Sequence, residues 1–336
     1  MKKYFVSTLL MVVLALFFGA IASASGPFDP KLEWKTIETG HFYVHYHEGT
    51  EKIALELARE SERALAELTD RLDHSPRAKV HLVVSDSTDF PNGITRVFPY
   101  PQVLYYPVLP RSDSDIDHYD KWIRTIATHE LTHIVVIDMT RGLTKALRYT
   151  FGYSIAMNGL SPRWLTEGSA VYSETELTTS GRGRSAYLDM VLRMAILENN
   201  FPSIDRAGDG LIDWPGGSAP YLFGYGFYSY LVDSYGEEKV AKFWKRYSGQ
   251  LIPFRINGAA KKVFGEDFAT LWDKWKKSLE KKYSARKTEI EAEGVVMGKA
   301  LTDRGFYNGK SIWTPSAERI IFSEYNPHTG GSIRSI

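Results

Sequence analysis

Apolar and polar residues alternate along the front of this chain with a period near two. Phe42-Tyr43-Val44-His45-Tyr46 and Val80-His81-Leu82-Val83-Val84 read as strands, and Gln102 to Pro107 predicts a third. Between the first two the period changes to that of a helix. Ile53, Leu55, Leu57, Ala58, Ala64, Leu65, Leu68 and Leu72 predict a long helix with Thr50 as its N-cap. Asp89-Phe90-Pro91-Asn92-Gly93 carries turn chemistry, and Pro110 closes the region. Residues 35–110 therefore read as a small sheet with a covering helix.

From residue 115 onward the helical period dominates. A helix is predicted from Asp115 to about Ile137, its start made acidic by Asp115, Asp117 and Asp120. Residues 141–162 look irregular and rich in aromatics, suited either to walling a cleft or to packing on the core. Helices are then expected at 164–176, 184–199, 221–235, 237–248 and 266–284, punctuated by Gly210, Pro215-Gly216-Gly217 and Gly258. Strands first and helices afterwards predict an α+β fold: a small N-terminal sheet, a mainly helical domain and a short C-terminal β segment.

The N-terminus adds an address. Lys2 and Lys3 precede an apolar run from Phe5 to Ile21, and Ala22-Ser23-Ala24 supplies a small-residue cleavage site. Residues 1–24 thus read as a cleaved signal peptide, which implies export to a periplasm or the cell exterior and no membrane span afterwards. The competing reading is an uncleaved anchor, since the run is close to spanning length. The 336 residues, 43% hydrophobic, suffice for a sizeable core. A net charge of +1 gives nucleic acid or an anionic membrane no electrostatic footing. With no cysteine, disulfides, thiol nucleophiles and thiolate ligands are excluded, so any metal must be held by His, Asp or Glu.

The chemistry concentrates in His129-Glu130-Leu131-Thr132-His133. Histidines four apart share one helix face and can bind one zinc ion, while the glutamate between them can activate a water on that ion. A catalytic zinc wants three protein ligands and one open position. Trp164-Leu165-Thr166-Glu167-Gly168-Ser169-Ala170 offers the third. Glu167 and Glu174, seven apart, share a helix face, so Glu174 can hydrogen-bond a ligand histidine and fix its tautomer. Asp138 is a rival for that role, and for either carboxylate the plain alternative is a solvated surface group.

The two motifs together resemble the gluzincin metallopeptidases, which include thermolysin and the aminopeptidase N family, and most of all the exported bacterial peptidase-MA-like domains. The resemblance spans residues 120–235. It implies a thermolysin-like helical domain, one zinc ion, Glu167 as third ligand and Glu130 as general base. It also implies peptides or proteins as substrate. Pro220-Tyr221-Leu222-Phe223-Gly224 is similar to the helix start that, in the aminopeptidase N family, supplies an oxyanion-stabilising phenol. Tyr221 takes that position, although Tyr221, Tyr225 and Tyr228 also have the spacing of a core stripe. The spacing from His133 to Glu167 is longer than in the aminopeptidase N family, and its Gly-x-Met-Glu-Asn signature is absent, so exopeptidase action is not implied. An extended peptide is expected to add to the sheet edge at Val103 to Pro107.

Residues 309–323 read as strand, turn, strand, and resemble one blade of a TolB-like β-propeller, with Thr314-Pro315-Ser316-Ala317-Glu318-Arg319 in a turn that normally carries a glycine. The expected organisation is a signal peptide (1–24), a zinc metallopeptidase domain (25–290, divided into a sheet part 25–110 and a helical part 111–290) and an incomplete blade (299–336). Two other readings stand beside the exported zinc peptidase. One is a catalytically silent peptide- or protein-binding scaffold coupled to a propeller. The other is a zinc hydrolase acting on a non-peptide bond.

Overall fold

The computed structural model describes residue 29 and residues 31–336, with the exception of 112, 113, 115, 210, 212, 213, 253, 303–306 and 327. The expected signal peptide lies outside the described residues. Among those described, no helix is long and apolar enough to cross a membrane.

The front of the chain forms a mixed five-stranded sheet: β1 (Trp34–Glu38), β2 (Phe42–His47), β3 (Val80–Val84), β4 (Asn92–Arg96) and β5 (Gln102–Tyr106). Their spatial order is β1-β2-β3-β5-β4. β2, β3 and β5 run parallel, with β1 and β4 antiparallel at the two edges. A parallel β2–β3 pair needs a crossover. Helix α1 (Glu51–Leu72) supplies it, burying Ala54, Leu57, Leu65 and Leu68 against the sheet's inner face of Phe42, Val44, Leu82 and Val103. Thr50 precedes α1 but does not cap it. Its hydroxyl donates instead to the carbonyl of His47 at 2.7 Å.

Two corrections here bear on function. The turn-like Pro91-Asn92-Gly93 leads straight into strand β4. And β5 lies between β3 and β4, so the edge expected to take a peptide at Val103–Pro107 is already paired. The free edge next to the helical part is β4.

Helix α2 (Trp122–Asp138) carries the histidine motif and is buried nearly all round. It starts later than its acidic prelude suggests. Asp117 and Asp120 lie in the turns before it, where the Asp120 carboxylate accepts from the Lys121 amide and from the Thr179 hydroxyl. Asp115 lies outside the described residues. The aromatic segment is not irregular: α3 (Leu143–Phe151) and two 3-10 turns (Gly152–Ser154, Met157–Leu160) fill it.

Then follow α4 (Arg163–Glu176), α5 (Ala186–Leu197), α6 (Ile204–Asp209), α7 (Ala219–Tyr235), α8 (Glu237–Tyr247), α9 (Ile256–Phe264) and α10 (Phe268–Glu293). Trp164, Phe227, Phe268 and Trp272 form the aromatic heart of this part. The short α6 and α9 are additions to the sequence reading. α10 runs to Glu293 rather than 284, and the pairs Arg286–Glu289 and Lys287–Glu291 line its exposed end.

Strands β6 (Tyr307–Trp313), β7 (Ile320–Asn326) and β8 (Gly330–Ser335) form a separate antiparallel sheet in that order. Ala317 turns between β6 and β7 at φ +57°, the left-handed conformation for which a glycine is the natural residue. The architecture is α+β, as the order of elements predicts.

Candidate metal centre

Helix α2 presents His129, Glu130 and His133 to a cleft of about 540 Å³. Helix α4 crosses beside it and brings Glu167 to the histidine pair. Glu167 Oε2 lies 3.4 Å from His129 Nε2 and 3.4 Å from His133 Nε2. One ligand atom from each residue falls within 4.8 Å of the other two. Oε2 is buried and has no hydrogen-bond partner among the described residues. Three ligands about 2.0–2.1 Å from a tetrahedral zinc would stand roughly 3.3–3.4 Å apart. The spacing is too long for good hydrogen bonds and right for atoms that share a cation. A buried carboxylate oxygen without a hydrogen bond and with two imidazole nitrogens converging on it therefore fits a metal.

Charge supports the fit. Burial alone would raise the Glu167 carboxyl, but the two imidazoles hold it well below the usual carboxylate range. Burial and Arg182 would lower the His129 imidazole. Glu167 and Glu174 outweigh them and lift it to about 9, so the pocket favours a positive charge at this ring.

Glu174, one helical face further along α4, lies behind His129. Its Oε2 is 2.9 Å from His129 Nδ1. Arg182 Nη2 is also 2.8 Å from Nδ1, so this nitrogen faces an acceptor and a donor at once. Arg182 also donates to Glu174, through Nε at 2.8 Å to Oε1 and Nη2 at 2.8 Å to Oε2. With Nε2 turned to the metal position, Nδ1 is assigned the proton and gives it to Glu174. Burial would raise Glu174, yet Arg182 and His129 hold it at about 2.

Asp138 does not join this group. Its carboxylate pairs with His74 Nε2 at 2.8 Å and with Arg148 Nη1 at 3.4 Å, which tie the C-terminal end of α2 to the segment after α1 and to α3. The rival role for Asp138 is corrected accordingly.

Tyr221 arrives from the start of α7. Its ring stands 6.2 Å from that of His129, nearly parallel to it. Arg182 lies 4.9 Å from the ring centroid, and Arg163 Nη2 donates to the phenol oxygen at 3.4 Å. Burial and the Glu167 charge raise the phenol above its ordinary value, with the two arginines pulling the other way. It is thus a neutral donor beside the metal position. Tyr225, one turn later, packs on Gly183 instead.

The approach of α7 to α4 depends on two glycines. A Cβ on Gly168 would collide with the carbonyl of Gly224, and one on Gly224 with the carbonyl of Trp164. Both glycines sit inside the sequence motifs, and their contact sets Tyr221 beside Glu167.

Other site residues escape sequence reasoning. Thr95 of β4 donates to Glu130 Oε2 at 2.7 Å, and a Cβ on its neighbour Gly93 would stand 2.6 Å from Glu130 Oε1. Arg163, Arg182 and His118 also line the cleft. Only tertiary contact gives these residues a role, and no local spacing marks them.

Residues 116–281 match the family model described as the Peptidase MA superfamily. An "Uncharacterized protein" of Treponema pallidum (strain Nichols) is 24% identical over 246 residues, covering 72% of this chain and 21% of the relative. The chain thus spans about a fifth of that curated relative's length. Among solved structures, similarity extends to an M1 zinc metallopeptidase from Deinococcus radiodurans at TM-score 0.40 and 14% identity, covering 73% of this chain and 51% of that one. It extends also to Legionella pneumophila aminopeptidase A in complex with aspartic acid, at TM-score 0.42 and 12% identity, covering 93% and 31%. Likenesses this slight carry no functional weight. The family match and the His-His-Glu group carry it instead: residues 116–281 are similar to the Peptidase MA superfamily, and within them His129, His133 and Glu167 converge as a group able to hold a metal.

Proposed function

We propose that this protein is an exported zinc-dependent metallopeptidase with His129, His133 and Glu167 as metal ligands and Glu130 as general base. The observation that carries the reading is the orphaned Glu167 Oε2, 3.4 Å from both histidine nitrogens. A zinc ion held there supplies Lewis acidity to an attacking water and to the scissile carbonyl. Glu130 takes the proton of that water and later hands it to the leaving amine. Tyr221 donates its phenol hydrogen to the oxyanion that develops on the carbonyl. Glu174, anchored by Arg182, keeps the His129 ring in one tautomer and orientation. An extended peptide or protein segment lies along the free edge of β4, whose Asn92, Gly93, Ile94 and Thr95 wall the cleft. Export rests on the Lys2-Lys3 start, the apolar run and Ala22-Ser23-Ala24.

Zinc content of the purified protein and cleavage of a peptide library, with a chelator control, test the reading. One zinc per chain and chelator-sensitive hydrolysis are expected. Glu130→Gln should keep the zinc and lose hydrolysis. A variant that still cleaves at the normal rate would sink the assignment. Bound zinc without cleavage of any peptide bond would favour the scaffold or a non-peptide substrate.

A further inference from the structure

We propose that Thr95, on strand β4, is a positioning residue that fixes the carboxylate of Glu130 so that Oε1 alone serves as the base. The inference rests on Glu130 being the base.

Strand β4 turns Gly93 and Thr95 toward α2. Gly93 permits close approach, because a Cβ there would stand 2.6 Å from Glu130 Oε1 and 2.7 Å from Cδ. The carboxylate therefore lies directly against the strand backbone. From the next inward position Thr95 Oγ1 reaches two oxygens of the same residue, Oε2 at 2.7 Å and the main-chain carbonyl at 3.1 Å. A hydroxyl has one hydrogen, and the shorter, charge-assisted contact takes it. Oε2 is thereby occupied as an acceptor, leaving Oε1 for the proton of the attacking water.

The surroundings make this hydroxyl hard to replace. Glu130 is only 6% exposed. The cross-strand neighbours of Thr95 and Gly93 are Val103 and Tyr105, both buried beneath them. Val103 offers no hydrogen bond, so without the Thr95 hydroxyl a buried carboxylate oxygen loses its donor. It then has reason to rotate toward the open cleft. The same hydrogen bond ties the strand edge that would receive a peptide to the helix that holds the metal ligands. Substrate register and base orientation are set by one contact.

Thr95→Val preserves shape and strand preference while deleting the hydroxyl. Thr95→Ser keeps the hydroxyl and deletes the methyl. Thr95→Val should lower kcat about 10–100-fold, as expected for a misplaced base. KM should stay within about twofold, with zinc content unchanged. Thr95→Ser should restore most of the rate. A crystal structure of Thr95→Val should show Glu130 displaced or in more than one rotamer. Normal kcat in Thr95→Val, or an unmoved Glu130, overturns the proposal. So does a Thr95→Ser protein as slow as Thr95→Val, which would point to packing. Glu130→Gln measured alongside separates the two levels. If it is inactive while Thr95→Val is normal, only the positioning role falls. If Glu130→Gln is itself active, the base assignment falls too.

Discussion

Gly168 and Gly224 meet backbone to backbone where α4 crosses α7, with no room for a side chain on either. The contact places the phenol of Tyr221 near Glu167 and His129. Alanine at Gly168 must push the helices apart or distort one of them, a penalty of about 1–3 kcal/mol for an overpacked interior. Gly168→Ala should therefore lower the melting temperature by several degrees. It should lower peptidase activity by more than this stability loss explains, because Tyr221 moves with α7. Gly258→Ala is the control: it lies in α9, and a Cβ there meets nothing within 4 Å. Calorimetry of the three proteins should separate Gly168→Ala and leave Gly258→Ala at or slightly above the parent.

Removing the partner of His129 should weaken the metal without abolishing it. Glu174→Gln keeps an acceptor for Nδ1–H but discards the charge that pairs with Arg182. A loss of about 10–100-fold in zinc affinity is expected for a second-layer partner of this kind. Glu167→Gln, which removes a ligand, should lose stoichiometric zinc altogether. Competition against a zinc-binding dye ranks the variants. Chelator should lower the melting temperature of the parent protein, since an ion that binds only the folded state stabilises it. Equal zinc affinity in Glu174→Gln and parent would show that the Glu174 charge does not support the metal.

What the sequence reveals and what it hides divide along physical lines. His129 and His133 are legible because helix geometry alone puts residues four apart on one face. Glu167 is legible through its motif. β4 is hidden because its inward positions are Gly93 and Thr95. They face a carboxylate and not the apolar core, so the strand lacks the alternation that marks β2 and β3. β1, Trp34–Glu38, is hidden for a related reason: it is an edge strand, exposed along most of its length. Arg182 and Thr95 matter only through contacts with residues far away in the chain, which no local pattern encodes. Asp138 looks eligible by sequence proximity, but three residues of other elements, His74, Arg148 and Tyr153, converge on its carboxylate.

Acid should strip one specific tie between helices. Asp189 of α5 accepts from Lys282 at 3.1 Å and Tyr283 at 2.9 Å on α10, and from Arg193 at 3.1 Å. Burial would raise its carboxyl, but the Lys282 and Tyr283 hydrogen bonds and the neighbouring cations hold it below the usual value. A depressed folded value means the stabilisation is complete above the unfolded carboxyl value. It is lost as pH falls through the folded one. Asp189→Asn should therefore melt below the parent near pH 7. The difference should shrink as the pH falls through the carboxyl range, toward about pH 3. A difference that stays constant across that range would show that shape, not charge, holds α10 in place.

Asn158 should govern substrate affinity more than turnover. Its side chain is fully buried, and Nδ2 donates to the carbonyl of Val136 at 2.8 Å and that of Trp244 at 3.3 Å. Val136 lies in the last turn of α2, where carbonyls have no partner within the helix. One amide thus satisfies the end of helix α2 and pins the segment whose Gly159 and Ser161 wall the cleft. Asn158→Ala leaves those carbonyls buried without that donor, at a cost of about 1–3 kcal/mol. It should raise KM several-fold with a smaller change in kcat, because the wall loosens while His129, Glu130 and Glu167 stay in place. Asn158→Asp, equal in size but unable to donate when ionised, should be at least as damaging. Denaturant unfolding together with steady-state kinetics tests both. If Asn158→Asp matches the parent, the volume of the side chain and not its hydrogen bonds holds the wall.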